Sequence, residues 1–517
     1  MCGVIKTPIS FGYKPWNTDK RTMLLVGHLD DEILVSESVL AEYPELFYQG
    51  ERLVRVVGNR FKAVSGSQHS PLEVQHVSAA NLKEMLSSKF VFLKIDSKGV
   101  HAAYPPPQLV NGLLERAKFP SLKHLRGVTE VPVLRTDGSV LQDAGYDPVT
   151  ELLFEPLQSF PEVPDQPSKD EVQSAIQQLL DVVCDFPFTN NVGRAVYLST
   201  ILTVVGRYAF QGCVPMVLID ANTPGVGKTK MADTIGIITT GQPLPRSIQA
   251  NYAEEERRQI TSILKKGERL LLIDNIGSRF GSSVLDALLT SEIWQDRLLG
   301  RSQEITLPNL LQVIATGNNL QLKADTVRRC LRMQLNSPDE HPEARSDFQH
   351  PDLEAWVSAQ QPRLLTAALT ILRGYMAAGK PKQEVVTLGS FAGWSDLIQS
   401  SVKWAYGVDP GEARVQNEDE MDLDKEILER MIRGWRNLVS DGQSVSCRWL
   451  IDKVSKSGDL GRDILEAMEM ANSSGKRTAV ALGYLMIKFR KRPHMGVYFD
   501  HGKERTSEGR QWRLFRL

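Results

Sequence analysis

Cysteine is scarce in this 517-residue chain, and its five cysteines stand far apart. No two of them form a C-x-x-C pair, so the sequence indicates neither a zinc site of paired cysteines nor a disulfide framework. A reducing compartment is expected, and the cytoplasm is the predicted location. The cysteines are Cys2, Cys184, Cys213, Cys330 and Cys447.

Long hydrophobic runs and an excess of one charge are also missing. The longest apolar stretch, around 195–210, is interrupted by Arg207 and is shorter than the roughly 18 residues that span a bilayer. The N-terminus has no basic segment leading into an apolar one, so we expect no signal peptide and no membrane partner. With a net charge of -1, 42% apolar and 24% charged residues, the composition is that of a globular protein.

The length predicts roughly three or four domains. Short β-rich runs alternate with helical patches before a proline-rich stretch, and an acidic stretch without apolar periodicity precedes the C-terminal part. The predicted organisation is an α+β accessory or collar region at 1–156, a proline-rich linker at 157–168, an α/β core at 169–344, a helical segment at 345–408, an acidic linker at 409–423 and a small domain at 424–517.

A phosphate-binding loop is the most specific pattern in the chain. An apolar run predicted to be a buried strand leads into it, and a helix is predicted from Lys228 to Thr240. Small residues allow backbone N–H groups to turn toward phosphate, a lysine reaches the outer phosphate oxygens, and a hydroxyl holds Mg²⁺. The usual first glycine is replaced by Asn222, which we expect to adopt a left-handed turn. The loop is Asn222, Thr223, Pro224, Gly225, Val226, Gly227, Lys228 and Thr229.

A second acidic group should end a strand beside this loop, because nucleotide hydrolysis needs a carboxylate for Mg²⁺ or its water shell. Asp274 follows the apolar run Leu270–Ile273 and is placed for that role. The next residue, Asn275, cannot act as a general base. Either it only orients water, or Glu292 or Glu304 takes the proton, or hydrolysis is slow.

Two later motifs favour a phosphoryl-transfer site. Asn318 follows the apolar run at 311–316, where an amide could sense the γ-phosphate, although an Asn-rich turn is the alternative. Arg328 and Arg329 could neutralise charge on a transferring phosphate, often from a neighbouring subunit. A solvated basic helix face is the alternative for this pair.

Taken in order, these motifs resemble the AAA+ helicases of phages, plasmids and integrative elements, which are often fused to primase-polymerase modules. The resemblance rests on the phosphate loop, Leu-Ile-Asp-Asn at 272–275, the segment 289–300, Ala-Thr-Gly-Asn-Asn at 315–319 and Arg-Arg at 328–329. Segments around 53–57, 104–106, 132–147 and 388–395 extend it over most of the chain. No primase constellation precedes the core, so any priming is expected from another protein.

The resemblance implies roles for single residues. Lys228 and Thr229 would bind phosphate and Mg²⁺, Asp274 would bind Mg²⁺, and Asn318 would be the γ-phosphate sensor. Arg328 or Arg329 would be the trans-acting finger, and the resemblance does not choose between them. Candidates for a hairpin loop that lines a DNA channel are Arg297 and Arg301.

The C-terminal part is strongly basic. From residue 476 onward it has eleven Lys and Arg against three acidic residues, a net of +8, which is the electrostatic footprint of a phosphate-binding surface. A helix over 482–487 and a hairpin with a polar turn from Asp500 to Gly509 are predicted, and this layout resembles the winged-helix ending of the same helicases. The candidate DNA contacts are Arg490, Lys491 and Arg492.

The sequence therefore predicts an α/β fold: an AAA+ P-loop NTPase core, which is a parallel sheet covered by helices, with an α+β N-terminal region and a winged-helix-like C-terminal domain. The expected function is a ring-forming, hexameric, ATP-dependent DNA helicase that uses ATP and Mg²⁺ on single-stranded or forked DNA, with a separate primase or initiator as a further partner. Two alternatives stay open. One is a remodeller or helicase loader that does not unwind, and the other is a nucleotide-gated DNA-binding initiator or defence protein.

Overall fold

The computed structural model describes most of the chain. Within the described part, no helix is both long and apolar enough to cross a membrane. The described residues are 22–25, 29–58, 72–97, 99–247, 249–250, 252–277, 279–297, 304–322, 324–338, 341–414, 423–471, 478–506 and 509–516.

The region before residue 156 mixes small sheets with three helices that share an apolar core. Two three-stranded sheets have the orders β1-β5-β6 and β2-β3-β4, and the later strands form the sheet β10-β11-β7 and the pair β8-β9. The α+β pattern expected from the sequence is therefore present. The elements are β1 Thr22–Leu25, α1 Leu29–Leu40, β2 Leu46–Gln49, β3 Arg52–Gly58, β4 Leu72–His76, α2 Ala79–Lys89, β5 Phe90–Asp96, β6 Gly99–Ala103, α3 Pro107–Leu114, β7 Gly127–Thr129, β8 Val133–Leu134, β9 Val140–Leu141, β10 Gly145–Asp147 and β11 Leu152–Phe154.

A five-stranded sheet forms the centre of the molecule, with the order β13-β14-β18-β12-β20 and every pair parallel. This confirms the predicted parallel sheet. Its elements are α4 Lys169–Asp181, α5 Asn191–Val205, β12 Met216–Ala221, α6 Lys228–Thr240, β13 Arg246–Ser247, α7 Ala253–Lys265, β14 Leu270–Ile276, β15 Arg279–Phe280, α8 Ser283–Leu288, β16 Ile293–Arg297, β17 Glu304–Pro308, β18 Gln312–Asn318, β19 Gln321–Leu322, α9 Ala324–Val327 and β20 Cys330–Leu335.

Helices cover both faces of this sheet, which explains why its strands are continuous apolar runs. Alternate residues of β12 enter different cores: Val217 and Ile219 pack with α4, α5, α6 and α10 (Leu353–Ala377), whereas Met216 and Leu218 pack with α7 and α8. The strand is thereby buried along its whole length. Its carboxyl end is held in one position, and the phosphate loop follows directly.

The first helix of the core begins at the capping-box pattern Ser168-Lys169-Asp170-Glu171, where this pattern predicts a helix start. The Ser168 side chain accepts a hydrogen bond from the Glu171 N–H, and the Glu171 carboxylate accepts one from the Ser168 N–H at 2.7 Å. This reciprocal capping box satisfies two N–H groups that the first turn of a helix leaves unpaired.

The segment 345–408, expected to be helical, contains helices that are separated by a break. Residues 378–391 contain no helix, because Gly379 with φ +80° ends α10 and Pro381 cannot continue it. After this break come α11 Ala392–Trp394, a π-helical turn Ser395–Gln399 and α12 Ser400–Tyr406.

The C-terminal part has an apolar core made only of its own residues, between Ile427 and Leu514. The predicted turn from Asp500 to Gly509 is wrong, because the hairpin ladder continues through Asp500↔Arg513, an opposite-charge cross-strand pair, to Thr506↔Gly509. The sheet order is β21-β23-β22. The elements are α13 Leu423–Leu438, β21 Val445–Ser446, α14 Cys447–Lys456, α15 Arg462–Ala471, α16 Ala479–Lys488, β22 Val497–Thr506 and β23 Gly509–Arg516. The domain boundaries, and the acidic linker that falls largely outside the described residues, stay predictions.

Candidate active site

The phosphate loop joins the buried end of β12 to the first turn of α6. Gly225 and Gly227 have φ of +81° and +92°, a region that glycine adopts without strain. Neighbours also crowd both positions: a Cβ on Gly225 would lie 2.7 Å from a carboxylate oxygen of Glu343, and one on Gly227 would lie 3.1 Å from the Phe186 ring. The helix begins immediately after Gly227, so its N-terminal dipole faces the loop.

Asn222 does not adopt the left-handed turn expected of it, since it is not among the described residues with positive φ. Its side chain has a different task. The Asn222 amide donates to the Ser337 carbonyl at 2.9 Å and accepts from the Ser337 N–H at 3.1 Å. Because asparagine has a donor and an acceptor on one short side chain, Asn222 links the start of the loop to the residues that follow β20 through these two hydrogen bonds.

Lys228 and Asn318 meet in the site although they are 90 residues apart. The Lys228 ammonium donates to the side-chain amide oxygen Oδ1 of Asn318 at 2.6 Å. Burial lowers the pKa of Lys228 from its ordinary value, while the carboxylates of Asp220 and Asp274 oppose this shift. The two residues lie together because parallel β12 and β18 end at the same edge of the sheet.

Asp274 is held by two hydroxyl groups. Its Oδ1 accepts from Thr229 at 3.0 Å and from Thr316 at 2.5 Å. The next residue, Asn275, has φ +54°, and its N–H lies within hydrogen-bond distance of both Asp274 Oδ1 and the Thr316 hydroxyl. A carboxylate beside a threonine hydroxyl is the oxygen-rich set that Mg²⁺ prefers, so these residues fit that ion.

Arg246 belongs to this group and was missed by sequence reasoning. Its guanidinium lies 2.9 Å from Asp233 and 3.6 Å from Asp274. Burial raises the pKa of Asp233, and Arg246 opposes that rise. Arg246 sits in the short edge strand β13, and nothing in the local sequence marks a two-residue strand as part of a site.

A cavity of about 880 Å³ opens above the loop, which is within the size range of ligand pockets. Its floor is the predicted site. Its remaining walls come from two segments without a recognisable motif, so sequence reasoning missed them too. These wall residues are Val182, Asp185, Phe186 and Pro187, and then Ser337, Pro338, Pro342, Glu343, Arg345, Asp347, Phe348, His350, Pro351 and Leu353.

Neither Glu292 nor Glu304 lines this cavity, so the structure does not bring these candidate bases to the site. Glu304 is exposed on β17 opposite Arg297. The carboxylates that line the cavity besides Asp274 are those of Asp185, Glu343 and Asp347.

The two arginines before β20 have different surroundings. Arg329 is 14% exposed and contacts the Asp286 carboxylate at 3.1 Å, whereas Arg328 is 56% exposed and pairs with Asp325 across its own turn. Both lie at the amino end of the sheet, since the Met216 N–H, at the start of β12, donates to the Arg329 carbonyl. The phosphate loop is at the opposite end, roughly 17 Å away along β12.

The segment between Asp274 and Asn318 contains the expected hairpin, β16–β17. Trp294 anchors it by donating its indole N–H to Thr261 at 2.8 Å. Arg297 is 88% exposed near the tip, and Arg301 lies outside the described residues. The hairpin therefore has a fixed base and an exposed arginine at its far end.

The basic run after α16 is partly neutralised within the domain. Arg490 lies 2.6 Å and Lys491 3.8 Å from the Asp500 carboxylate, and Arg492 stacks on the Phe489 ring. The neighbouring helix presents exposed apolar side chains at helical spacing. These are Val480, Tyr484 and Ile487.

No protein-family model matches the chain, and no curated protein matches it either. Among solved structures, two apo structures of the NrS-1 C-terminal region match at 10% and 11% identity with TM-scores of 0.37 and 0.38. These matches cover 93% and 94% of this chain and 98% and 100% of the other chains. The JCV helicase matches 49% of this chain over 66% of its own length, at 10% identity and a TM-score of 0.25. Scores of this size assign no residue a role.

Proposed function

We propose that this chain is an AAA+ ATPase that assembles into a ring, a hexamer, around DNA and couples ATP hydrolysis to translocation and strand separation. The observation that carries the proposal is the meeting of Lys228, Thr229, Asp274 and Asn318 at one edge of the parallel sheet, on the floor of a nucleotide-sized cavity. These residues come from three strand ends. Their side chains match the needs of a nucleoside triphosphate in charge and in hydrogen bonding.

In the proposed reaction, backbone N–H groups from Gly225 to Thr229 cradle the β-phosphate, and the Lys228 ammonium moves from Asn318 to the outer phosphate oxygens. Asn318 is then free to contact the γ-phosphate or the attacking water. Mg²⁺, held by Thr229 and Asp274, would offset phosphate charge when bound. The Thr316 hydroxyl keeps the Asp274 carboxylate turned toward Thr229.

Arg328 is the proposed trans-acting finger. Arg329 is engaged with Asp286, whereas Arg328 is exposed and its pairing with Asp325 is a surface contact of little stabilising value. Because Arg328 is at the far end of the sheet from its own phosphate loop, it reaches a phosphate only in another copy of the chain. A head-to-tail interface gives a ring when the rotation between subunits closes, as it would in the proposed hexamer.

We expect the proposed motor to translocate along DNA. Arg297 on the anchored hairpin is suited to the ring interior, and the basic C-terminal part supplies a second contact. Its three-stranded sheet, with a helix before the hairpin, is the arrangement proposed to act as a winged helix. Arg490, Lys491 and Arg492 are the proposed phosphate contacts of this part, together with the exposed face of α16.

Strand displacement on a forked duplex tests the proposal. The wild-type chain should separate strands with ATP and Mg²⁺, and DNA should stimulate its ATPase, while Lys228→Ala does neither. Particle images should contain six-fold rings. If ATP is hydrolysed without DNA stimulation and no strands separate, the helicase proposal fails.

Asn275 favours one other function. With an amide where a general base would stand, and with neither Glu292 nor Glu304 in the cavity, hydrolysis could be slow enough for nucleotide to serve mainly as a switch. The chain would then be a DNA-binding initiator or a loader without unwinding activity. Nucleotide-dependent assembly on DNA with turnover far below one ATP per second would support this second function.

A further inference from the structure

Three side chains of metal-ligand type meet at the rim of the cavity. They are Asp181 at the end of α4, Cys184 three residues later, and His350 just before α10, and their ligand atoms lie within 4.8 Å of one another. The His350 Nε2 is 3.2 Å from an Asp181 carboxylate oxygen. This is close to the separation of neighbouring ligands around a tetrahedral ion with bonds of about 2.0–2.2 Å.

Two of the three ligands are held in place by neighbours. The Gln349 side chain donates to Asp181 Oδ1 at 3.0 Å, and the Asp181 Oδ2 is the oxygen that faces His350. The His350 ring stacks on Trp356 with centroids 3.8 Å apart. Partners that fix ligand orientation in this way are a regular part of metal sites.

The ligand chemistry distinguishes this site from the Mg²⁺ position at the phosphate loop. A thiolate and an imidazole are ligands for zinc and similar metals, whereas Mg²⁺ takes oxygen atoms. The nearby Asp185 carboxylate is satisfied by Arg345 and the Gln349 N–H, so it is less available to a metal than Asp181. Cys184 is exposed, which leaves room for a water as the fourth ligand.

We propose that Asp181, Cys184 and His350 bind one zinc ion per chain. The ion joins the end of α4 to the segment before α10. Both segments line the nucleotide cavity, through Val182 and Phe186 on one side and Phe348 on the other. The bound metal therefore fixes two walls of that cavity to each other, and this step of the inference rests on the proposed function.

Metal content tests the site without relying on nucleotide chemistry. Tag-free full-length protein dialysed against micromolar zinc should retain one equivalent. The variants Cys184→Ser and His350→Ala should each lose zinc affinity by more than about a hundredfold, and Gln349→Ala, which removes only a partner of Asp181, by about tenfold. With Co²⁺ in place of zinc, the wild type should give a thiolate-to-cobalt charge-transfer band that Cys184→Ser lacks.

Cys447→Ser is the matched control, because Cys447 lies in the C-terminal part, away from the triad, and is partly accessible. It should bind metal like the wild type. Equal thermal midpoints of the metal-free proteins would show that the variants fold. The proposal is overturned if the wild type retains no zinc, if the triad variants bind as the wild type does, or if Cys447→Ser shares the loss. None of these results depends on whether the chain hydrolyses ATP.

Discussion

In the proposed ATPase, the two ends of the central sheet carry different halves of one reaction. At the carboxyl end, Lys228, Asp274 and Asn318 are brought together within hydrogen-bonded contacts around a cavity. At the amino end, Arg328 is 56% exposed and pairs with Asp325 at the surface. The strands β12 and β20 run from one end of the sheet to the other. They hold Arg328 and the phosphate loop of the same chain apart.

The location of Arg328 and of the phosphate loop at opposite ends of the sheet indicates how subunit assembly and the proposed ATP hydrolysis are coupled. A parallel sheet places the loops after its strands on one edge and the loops before them on the other. A residue before β20 can therefore complete a site after β12 only across a subunit interface. The proposed ATPase is active only as an assembly, which makes the comparison open to experiment.

The largest expected effect comes from Arg328→Ala. Because a trans-acting arginine neutralises charge that develops on the transferring phosphate, we expect kcat to fall by about a thousandfold while nucleotide affinity is retained. Steady-state ATPase and nucleotide titration measure the two quantities. Arg258→Ala, which removes an exposed arginine paired within its own helix, should leave both unchanged. A normal kcat for Arg328→Ala would contradict the assignment.

Mixing two inactive variants tests whether each site is shared between two subunits. Arg328→Ala subunits retain the phosphate loop, and Lys228→Ala subunits retain the finger. Random one-to-one mixing should restore active interfaces in about a quarter of positions, since each interface takes one half of its site from each subunit. Recovery of ATPase on mixing supports a shared site, and the absence of recovery in rings shown to be mixed argues against it.

Removal of residues 424–517 should lower DNA affinity by about a hundredfold at low salt, because it deletes most of the basic surface. Basal ATPase should persist, because residues 424–517 contribute to neither end of the central sheet. Their apolar core is built from residues of this part alone. DNA-binding anisotropy across a salt series, with ATPase measured in parallel, separates the two effects. Equal loss of both would refute the assignment of roles.

The pH dependence of nucleotide affinity probes the carboxyl end alone. Burial lowers the pKa of Lys228 from its ordinary 10.5, and only the protonated ammonium attracts phosphate. Affinity should therefore fall as the pH rises, beginning at a lower pH than for an ordinary lysine, by about tenfold per pH unit above the pKa. Lys228→Arg, which keeps its charge, should give a flat profile. If the nucleotide affinity of the wild type is also constant up to pH 10.5, the lowered pKa of Lys228 does not control nucleotide binding.

The smallest expected effect is that of Glu343→Gln. The Glu343 carboxylate lies against Gly225 of the phosphate loop, where its negative charge opposes phosphate binding. Neutralising it in this exposed position should raise ATP affinity by about twofold to fivefold. Glu254→Gln is the control, because that exposed carboxylate lies on α7 and does not line the cavity, so ATP affinity should stay unchanged. Weaker ATP binding by Glu343→Gln would mean that the carboxylate supports the nucleotide.

Local pattern predicted much of the core. The helix over 228–240, the strands that end near Asp274 and Asn318, and the capping box at Ser168 are all confirmed. Each is encoded by neighbouring residues: apolar runs for buried strands, a glycine turn before a helix, and a serine followed by glutamate for a helix start. The roles assigned to the site residues stay predictions.

Other features could not be predicted, because they depend on partners distant in the sequence. The role of Asn222 became visible only through Ser337, which is 115 residues away. Arg246 has no motif, and its partner carboxylates lie on other elements. The hairpin ladder through Asp500 replaced a predicted turn because cross-strand pairing outweighs the local preference of polar residues for turns.

A phosphate-loop motif, an acidic residue at a strand end and a pair of arginines can be read from the sequence alone, since each is a local arrangement of residue types. The tertiary structure decided which arginine is exposed, which carboxylates enter the cavity, and that Asp181 and His350, 169 residues apart, lie side by side. The physical reason is the parallel sheet. Its strand order brings the ends of distant segments together at one edge and separates residues that lie close along the chain.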